Sequence, residues 1–202
     1  MHTSIQNGQN WINILMEGML DSYGGVTTIT LSTTAMAGDV LRILVENQGR
    51  ICGYGGATYP PLELKSLSKG QNNVTLNGVL LQDWIQCGIN LTKSSVDSLS
   101  QSNFQASPKI LQEKAVSQPG IYFGQFAANP IQDTFFNATG WGKGQLFING
   151  YNLGRYWPTR GPQITLYVPK PFLQAQNTVL LIELTGAQQN SVSFIDHSIF
   201  NW

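Results

Sequence analysis

Eleven carboxylates are available for acid/base chemistry: Glu17, Glu46, Glu63, Glu113 and Glu183, with Asp21, Asp39, Asp83, Asp97, Asp133 and Asp196. Two facing carboxylates can cleave a glycosidic bond, standing about 5–5.5 Å apart for a retaining reaction or about 6.5–9.5 Å for an inverting one. Most of these side chains have an ordinary structural explanation. Glu17 and Asp21 flank a glycine-bearing turn, Asp39 follows Gly38 at an expected strand start, and Glu183 takes the face opposite Leu180, Ile182 and Leu184.

Other chemistries fare worse. His2 and His197 are the two imidazoles, and neither stands near a Gly-x-Ser-x-Gly turn, so a nucleophile triad has no support. Asp196 and His197 read as a surface pair. Gly53, Gly55 and Gly56 lack the spacing and the Lys-Ser/Thr of a phosphate loop. No Cys/His pattern suggests zinc, and neither a metal nor a cofactor is expected. Sugar binding is the sharper alternative, because a carbohydrate site stacks an aromatic ring on a sugar face and surrounds it with planar polar groups. Trp141, Tyr151, Tyr156 and Trp157, with Asn149, Asn152, Arg155 and Arg160, are of the right types. The competing reading packs these aromatics within their own domain or against a neighbouring one.

Most of these residues fall within one stretch, Gly140 to Pro158. Asn149-Gly150 supplies two residues able to take positive φ between two extended runs, the strongest short-range signal for a type I′ hairpin. Leu146 and Ile148 are expected to face a core. Glycines at 140, 142, 144 and 154 remove side chains where backbone bends or approaches closely, and Pro158 ends the ladder after Trp157.

The same stretch resembles the carboxy-terminal β-domains of family 35 β-galactosidases. Their pattern, Gly-Trp-x-Lys-Gly-x-x-x-x-Asn-Gly-x-Asn-Leu-Gly-Arg-Tyr-Trp-Pro, is fitted by the residues from Gly140 to Pro158. Arg160 to Pro169 continues the resemblance, as does Leu44-Val45-Glu46-Asn47-Gln48-Gly49-Arg50 upstream, followed by Tyr54-Gly55. The resemblance covers nearly the whole chain and is thinnest from Lys93 to Pro119.

It implies an all-β chain of jelly-roll, galactose-binding-domain-like β-sandwiches, one near-complete and one partial. In that family both catalytic glutamates belong to an amino-terminal (β/α)₈ TIM barrel that has no counterpart here, so no residue is expected to be catalytic and the chain alone is expected to be inactive. Glu46 is the best single carboxylate because it lies in the shared motif, yet pairing to Arg50 or to loop backbone accounts for it. Trp141, Asn149, Arg155, Tyr156, Trp157 and Arg160 remain the candidate sugar-binding set, for a β-galactoside ligand. Likeness of fold to a lectin is an analogy only.

Composition agrees with turn-rich strands. Charged residues make up 11% of the 202, well below an average soluble domain's roughly one quarter. Eleven basic and eleven acidic residues balance to zero with no cationic stripe, which removes nucleic acid and charged membrane surfaces as partners. No apolar run approaches the roughly 20 residues of a membrane span, and the polar start from Met1 to Asn7 lacks the character of a signal peptide. Three sequons, at Asn73, Asn90 and Asn137, would accept N-glycans on the secretory route. Cys52 and Cys87 permit one disulfide or two buried thiols. The family's usual environment points to the lysosome or the extracellular space for a full-length parent, with the true amino terminus missing from this chain.

Strand signals recur along the sequence. Thr27, Ile29 and Leu31 alternate with threonines, Leu41, Ile43 and Val45 share a face, and Ile121 to Phe126, Ile164 to Val168, Leu180 to Leu184 and Val192 to Phe194 follow. Periodicity fails between Thr92 and Pro119. The expected organisation is therefore a partial sandwich over residues 1–92, a linker or long loop over 93–118 and a second sandwich over 119–202. The function expected is that of non-catalytic β-domains supporting a β-galactosidase barrel. A free-standing galactose- or glycan-binding module is the alternative, and a partner that docks on an intact glycosidase is a third.

Overall fold

A computed structural model of the chain describes residues 2–4, 6–7, 27–32, 34, 36, 38–47, 73–101 and 119–201. In chain order the elements are β1 (His2–Ser4), β2 (Gln6–Asn7), β3 (Thr75–Leu76), β4 (Val79–Leu80), α1 (Lys93–Gln101), β5 (Gly120–Ala127), β6 (Thr134–Asn137), β7 (Gly144–Ile148), β8 (Tyr151–Tyr156), β9 (Thr165–Val168), a 3₁₀ turn (Lys170–Phe172), β10 (Gln176–Glu183) and β11 (Ser191–Ile195). They fall into two units, residues 1–32 with 89–202, and residues 33–88.

The larger unit is a β-sandwich of antiparallel strands. One sheet runs β1-β11-β6-β9 and the other β2-β5-β10-β7-β8. Alternation along each strand sends Tyr122, Leu146, Ile148, Val179 and Leu181 inward from the five-stranded sheet, where they meet Phe136, Val168, Val192 and Phe194 from the four-stranded one. Ring pairs tie the sheets together: Phe126 and Phe194 stand 4.5 Å apart between centroids, and Phe136 meets Tyr156 edge-on at 5.8 Å. Each fully buried side chain of this size contributes about 1.5–3 kcal/mol of transfer free energy.

The outer face of the five-stranded sheet is apolar too. Register puts Leu180 between Phe123 of β5 and Phe147 of β7. Helix α1 covers this second face: Val96 is fully buried against Phe147 and Leu180, with Leu91, Leu99, Ile121 and Ile182 packed around them. Residues 93–101, expected as linker, are thus a helix with a packing role. Their signal is short, a Ser-rich nine residues with Val96 and Leu99 three apart, and tertiary contact supplies what propensity does not.

The amino-terminal boundary also differs from expectation. Residues 2–4 pair antiparallel with β11 and residues 6–7 with β5, so this ribbon adds an edge strand to each sheet of the later sandwich rather than belonging to the first domain. The gain is coverage of two rows of otherwise open backbone groups.

In the smaller unit, β3 and β4 form a hairpin around Asn77 and Gly78, at φ 50° and 79°, the geometry of a type I′ turn. Asp39 closes a local turn by accepting the Met36 amide at 2.7 Å. The alternating stretches at 27–31 and 41–45 carry no strand, and Leu41, Leu44 and Val45 are exposed. Alternation identifies the face a strand would bury, but not the neighbour that buries it.

Replacing Val96 with Asp is expected to undock α1 and spare the sandwich. Hydrogen exchange checks it, with protection lost over residues 93–101 and retained in β10. Phe147→Ala, which empties the same contact, is expected to lower unfolding free energy by about 3–5 kcal/mol in urea titrations.

Candidate functional site

The hairpin expected from Asn149-Gly150 is formed by β7 and β8, with Asn149 at φ 48° and Gly150 at φ 77°. Beyond the turn, the ladder shifts register between Leu146 and Phe147, and Gly154, at φ 108°, donates its amide to Asn152 Oδ1 at 2.8 Å. Asn149 does more than turn the chain. Its Nδ2 donates to Phe172 O at 2.7 Å and to Asn177 Oδ1 at 2.8 Å, while its Oδ1 accepts the Thr178 amide at 2.9 Å. Asn177, itself buried, holds Gln174 through both its amide and its carbonyl, so two carboxamides pin the hairpin tip to the entry of β10.

At the other end of β7 and β10 lies a buried carboxylate. Glu183 is 1% exposed. Its Oε1 accepts the amides of Lys143, Thr185 and Gly186 at 2.9–3.0 Å and the Thr185 hydroxyl at 2.9 Å. Its Oε2 accepts the Gly142 amide at 3.2 Å and the Tyr156 hydroxyl at 2.9 Å. Six donors surround two oxygens, which compensates the desolvation of the buried charge. The glycines of the motif follow from this. A Cβ at Gly142 would fall on Thr185 Oγ1 and Gly186 O, and one at Gly144 on Ile182 O and Tyr156 Oη. Burial first, then the Glu183 charge and its hydrogen bond, holds the Tyr156 phenol well above its ordinary range, and burial with the same charge raises Tyr122.

The candidate sugar-binding residues divide in two. Trp141 is buried, packed near Tyr122 and Tyr156, with its indole N–H donating to Ser191 O at 3.2 Å. Tyr156 is buried on Glu183, and Asn149 is committed to backbone. These three have structural duties and no open ring face or free carboxamide to offer a sugar. Trp157, Arg155 and Arg160 lie outside the core, but the Trp157 ring is already flanked by cations, Lys143 Nζ at 4.1 Å from its centroid and the Arg160 guanidinium at 5.2 Å. Tyr151 stacks on Phe172 at 4.2 Å with planes 8° apart, and Lys93 Nζ stands 5.0 Å from its centroid. The exposed Asn152 uses its Oδ1 to accept the Gly154 amide.

Remaining candidates are dispersed. Asp196 and His197 form the expected surface pair at 2.7 Å, which holds the Asp196 carboxyl below its usual range. Glu46 is half-buried and engaged with neighbouring groups. Among the described residues, no group of three or more His, Cys, Asp or Glu could hold a metal ion. Cys87 is an exposed free thiol, whereas Cys52 lies outside the described residues. Of the sequons, Asn73 and Asn90 are exposed; Asn137 is half-buried in β6, its Oδ1 accepting the Thr139 amide at 3.0 Å.

One feature carried no sequence signal. A hollow of about 140 Å³ opens beside the chain that leaves β5 and enters β6, lined by Phe126, Phe194 and Leu173 below and by Asn129, Gln132 and Thr134 among its polar groups. These residues share no spacing or motif, and only the fold brings Leu173 and Phe194 to residues 126–134.

The sandwich is of the galactose-binding-like class, and residues 119–178 match the family model "Beta-galactosidase, galactose-binding domain". Similarity to curated relatives extends further. The chain is 33% identical to a β-galactosidase of Bos taurus over 94% of its own length, and 35% identical to that of Homo sapiens over 85%. It is also 33% identical to β-galactosidase 17 of Arabidopsis thaliana over 79%. The resemblance to β-galactosidases thus extends over most of the chain, which spans 30%, 27% and 24% of those three proteins.

Glu183→Ala leaves six donors without an acceptor and is expected to cost at least about 3–5 kcal/mol of unfolding free energy. Tyr156→Phe, which removes one bond to a charged acceptor, should cost about 1.5–3 kcal/mol. Both phenols hold their protons more tightly folded than unfolded, so their contribution is complete below about pH 10 and is lost as pH rises beyond it. Urea midpoints measured across pH should fall above about pH 10, and fall less steeply in Tyr156→Phe.

Proposed function

We propose that this chain is a non-catalytic β-domain portion of a β-galactosidase that removes terminal β-galactosyl residues from glycoconjugates by a retaining reaction on a separate TIM barrel. Its sandwiches buttress that barrel and shape the rim through which substrate arrives. The observation that supports this reading most is the fate of the motif from Gly140 to Pro158. The Gly142 amide and the Tyr156 hydroxyl bond Glu183, Gly144 leaves room for Tyr156 beside it, and Trp141 packs against Tyr156 with its indole N–H on Ser191 O, so these residues are committed to the structure around a buried, saturated carboxylate.

Two further elements belong to the proposal. The galactose-binding description of the matching family suggests a terminal β-galactoside as ligand, in addition to the barrel as partner. The parent works in the lysosome or outside the cell, in keeping with exposed sequons at Asn73 and Asn90. Among the described residues no helix is long and apolar enough to cross a membrane.

Purified chain should release no product from a chromogenic β-galactoside, and hydrolysis that survives repurification would overturn the non-catalytic reading. Expressed through a secretory host, it should carry glycans at Asn73 and Asn90 and little at Asn137, as read by peptide mapping before and after glycan removal.

A further inference from the structure

We infer that the β3–β4 hairpin of the smaller unit is a seat for the chain's own N-glycan: the first N-acetylglucosamine on Asn73 lies over the Trp84 indole and covers apolar surface beside it. The inference rests on the secretory part of the proposed function, which supplies the glycan, and goes beyond it in assigning what the glycan touches.

The seat begins with an apolar surplus. Leu80, Val79, Trp84 and Ile85 are 49%, 68%, 44% and 90% exposed. From Asn73 to Ile85 the one charged residue is Asp83. Clustered exposed apolar residues of this kind mark a surface that something covers. A neutral cover suits them.

Register brings Asn73 to this surface. β3 and β4 pair Thr75 with Leu80 and Leu76 with Val79, and the Leu81 amide donates to Val74 O at 2.9 Å, which extends the ladder by one pair toward Asn73. Trp84 folds back on the same end, its indole N–H donating to Leu81 O at 3.2 Å. Asn73, adjacent to Val74, and Trp84, bonded to Leu81, therefore meet at one end of the hairpin. Asn73 is exposed, and its φ of 53° turns the chain out of the ladder there.

The chemistry of the surface fits a sugar attached at that point. With its N–H already satisfied, Trp84 offers ring surface alone, the partner that the C–H face of a pyranose needs. Gln82 is exposed and its carboxamide carries both donors and an acceptor for hydroxyl or acetamido groups. Attachment follows the usual route of the Asn73-Val74-Thr75 sequon. Asn73 Nδ2 displaces the lipid diphosphate from C1 of an oligosaccharide donor, one C–N bond forming as the C–O bond breaks, and the amide gives up one proton.

The test uses the chain secreted from a host that glycosylates, with occupancy at Asn73 read by mass. The glycan is trimmed by an endoglycosidase to a single N-acetylglucosamine, and the product is compared with Asn73→Gln by hydrogen exchange. Amides of residues 74–85 are expected to exchange about two- to tenfold more slowly in the glycosylated form, the worth of one aromatic contact expressed as a rate ratio. The difference should vanish in Trp84→Ala and survive in Trp84→Phe, which keeps a ring. Amidase removal of the whole glycan from the folded protein repeats the comparison should Asn73→Gln fail to fold. An effect undiminished in Trp84→Ala, or no effect in an occupied chain, would overturn the seat and leave the secretory reading standing. An unoccupied Asn73 would overturn both. A dimer of the occupied chain that Trp84→Ala dissolves would put a second copy on the ring and likewise overturn the seat.

Discussion

The carboxylate of Glu183 is the constraint on which the sandwich depends. A buried charge survives only if nearly every lone pair is satisfied, and here backbone amides of residues 142, 143, 185 and 186 converge on it with two hydroxyls. Those amides come from the chain entering β7 and the chain leaving β10, and Tyr156 brings the end of β8. One side chain thus fixes the relative position of three neighbouring strands at their shared end. The local ladder agrees with it, since Leu184 donates to Lys143 O at 2.7 Å and Gln188 to Gly140 O at 2.7 Å. Asn149 and Asn177 serve the opposite end of the same strands, so the hairpin is held at both extremities by polar groups and along its length by apolar ones.

The middle of this sheet is buried on both faces. Leu146, Ile148, Val179 and Leu181 fill the sandwich, while Phe147 and Leu180 meet Val96. Strands buried on both faces read as continuous apolar runs, and Val179 to Ile182 is such a run. Helix α1 is therefore structurally equivalent to a third layer, small but fully dry at Val96. Its first turn also meets the hairpin tip, where the Lys93–Asp97 pair lies against Gly150 and any Cβ at that glycine would collide with Asp97. The turn sequence Asn149-Gly150 answers two demands at once, positive φ at both positions and room for the helix.

These overlaps explain what the sequence made legible. The hairpin could be read from Asn149-Gly150, the strands of Leu166 and Val192 because each alternates against a single core, and those of Ile121 and Leu180 from apolar runs buried on both faces. Phe147 was less transparent: an inward-outward alternation assigns it to solvent, and only the helix overhead makes its burial sensible. Helix α1 was read as a linker because two apolar residues, Val96 and Leu99, among serines carry little periodic signal. Glu183 was read as pointing away from Leu180, which is correct, but the outward side of Leu180 is the helix, so its opposite is the sandwich interior. The strands expected at Thr27–Leu31 and Leu41–Val45 did not form, since alternation there had no ladder partner among the described residues to support it.

The same reasoning bears on how a shared motif should be converted into function. Aromatic and planar polar residues gathered in one stretch have the composition of a sugar site, yet composition does not say which way the side chains face. Trp141 and Tyr156 face the core because residues 141 and 156 flank the carboxylate clasp, and Asn149 faces the backbone it caps. What remains outside, Trp157 with Lys143 and Arg160 against its ring, has its stacking surface contested by cations before any ligand arrives.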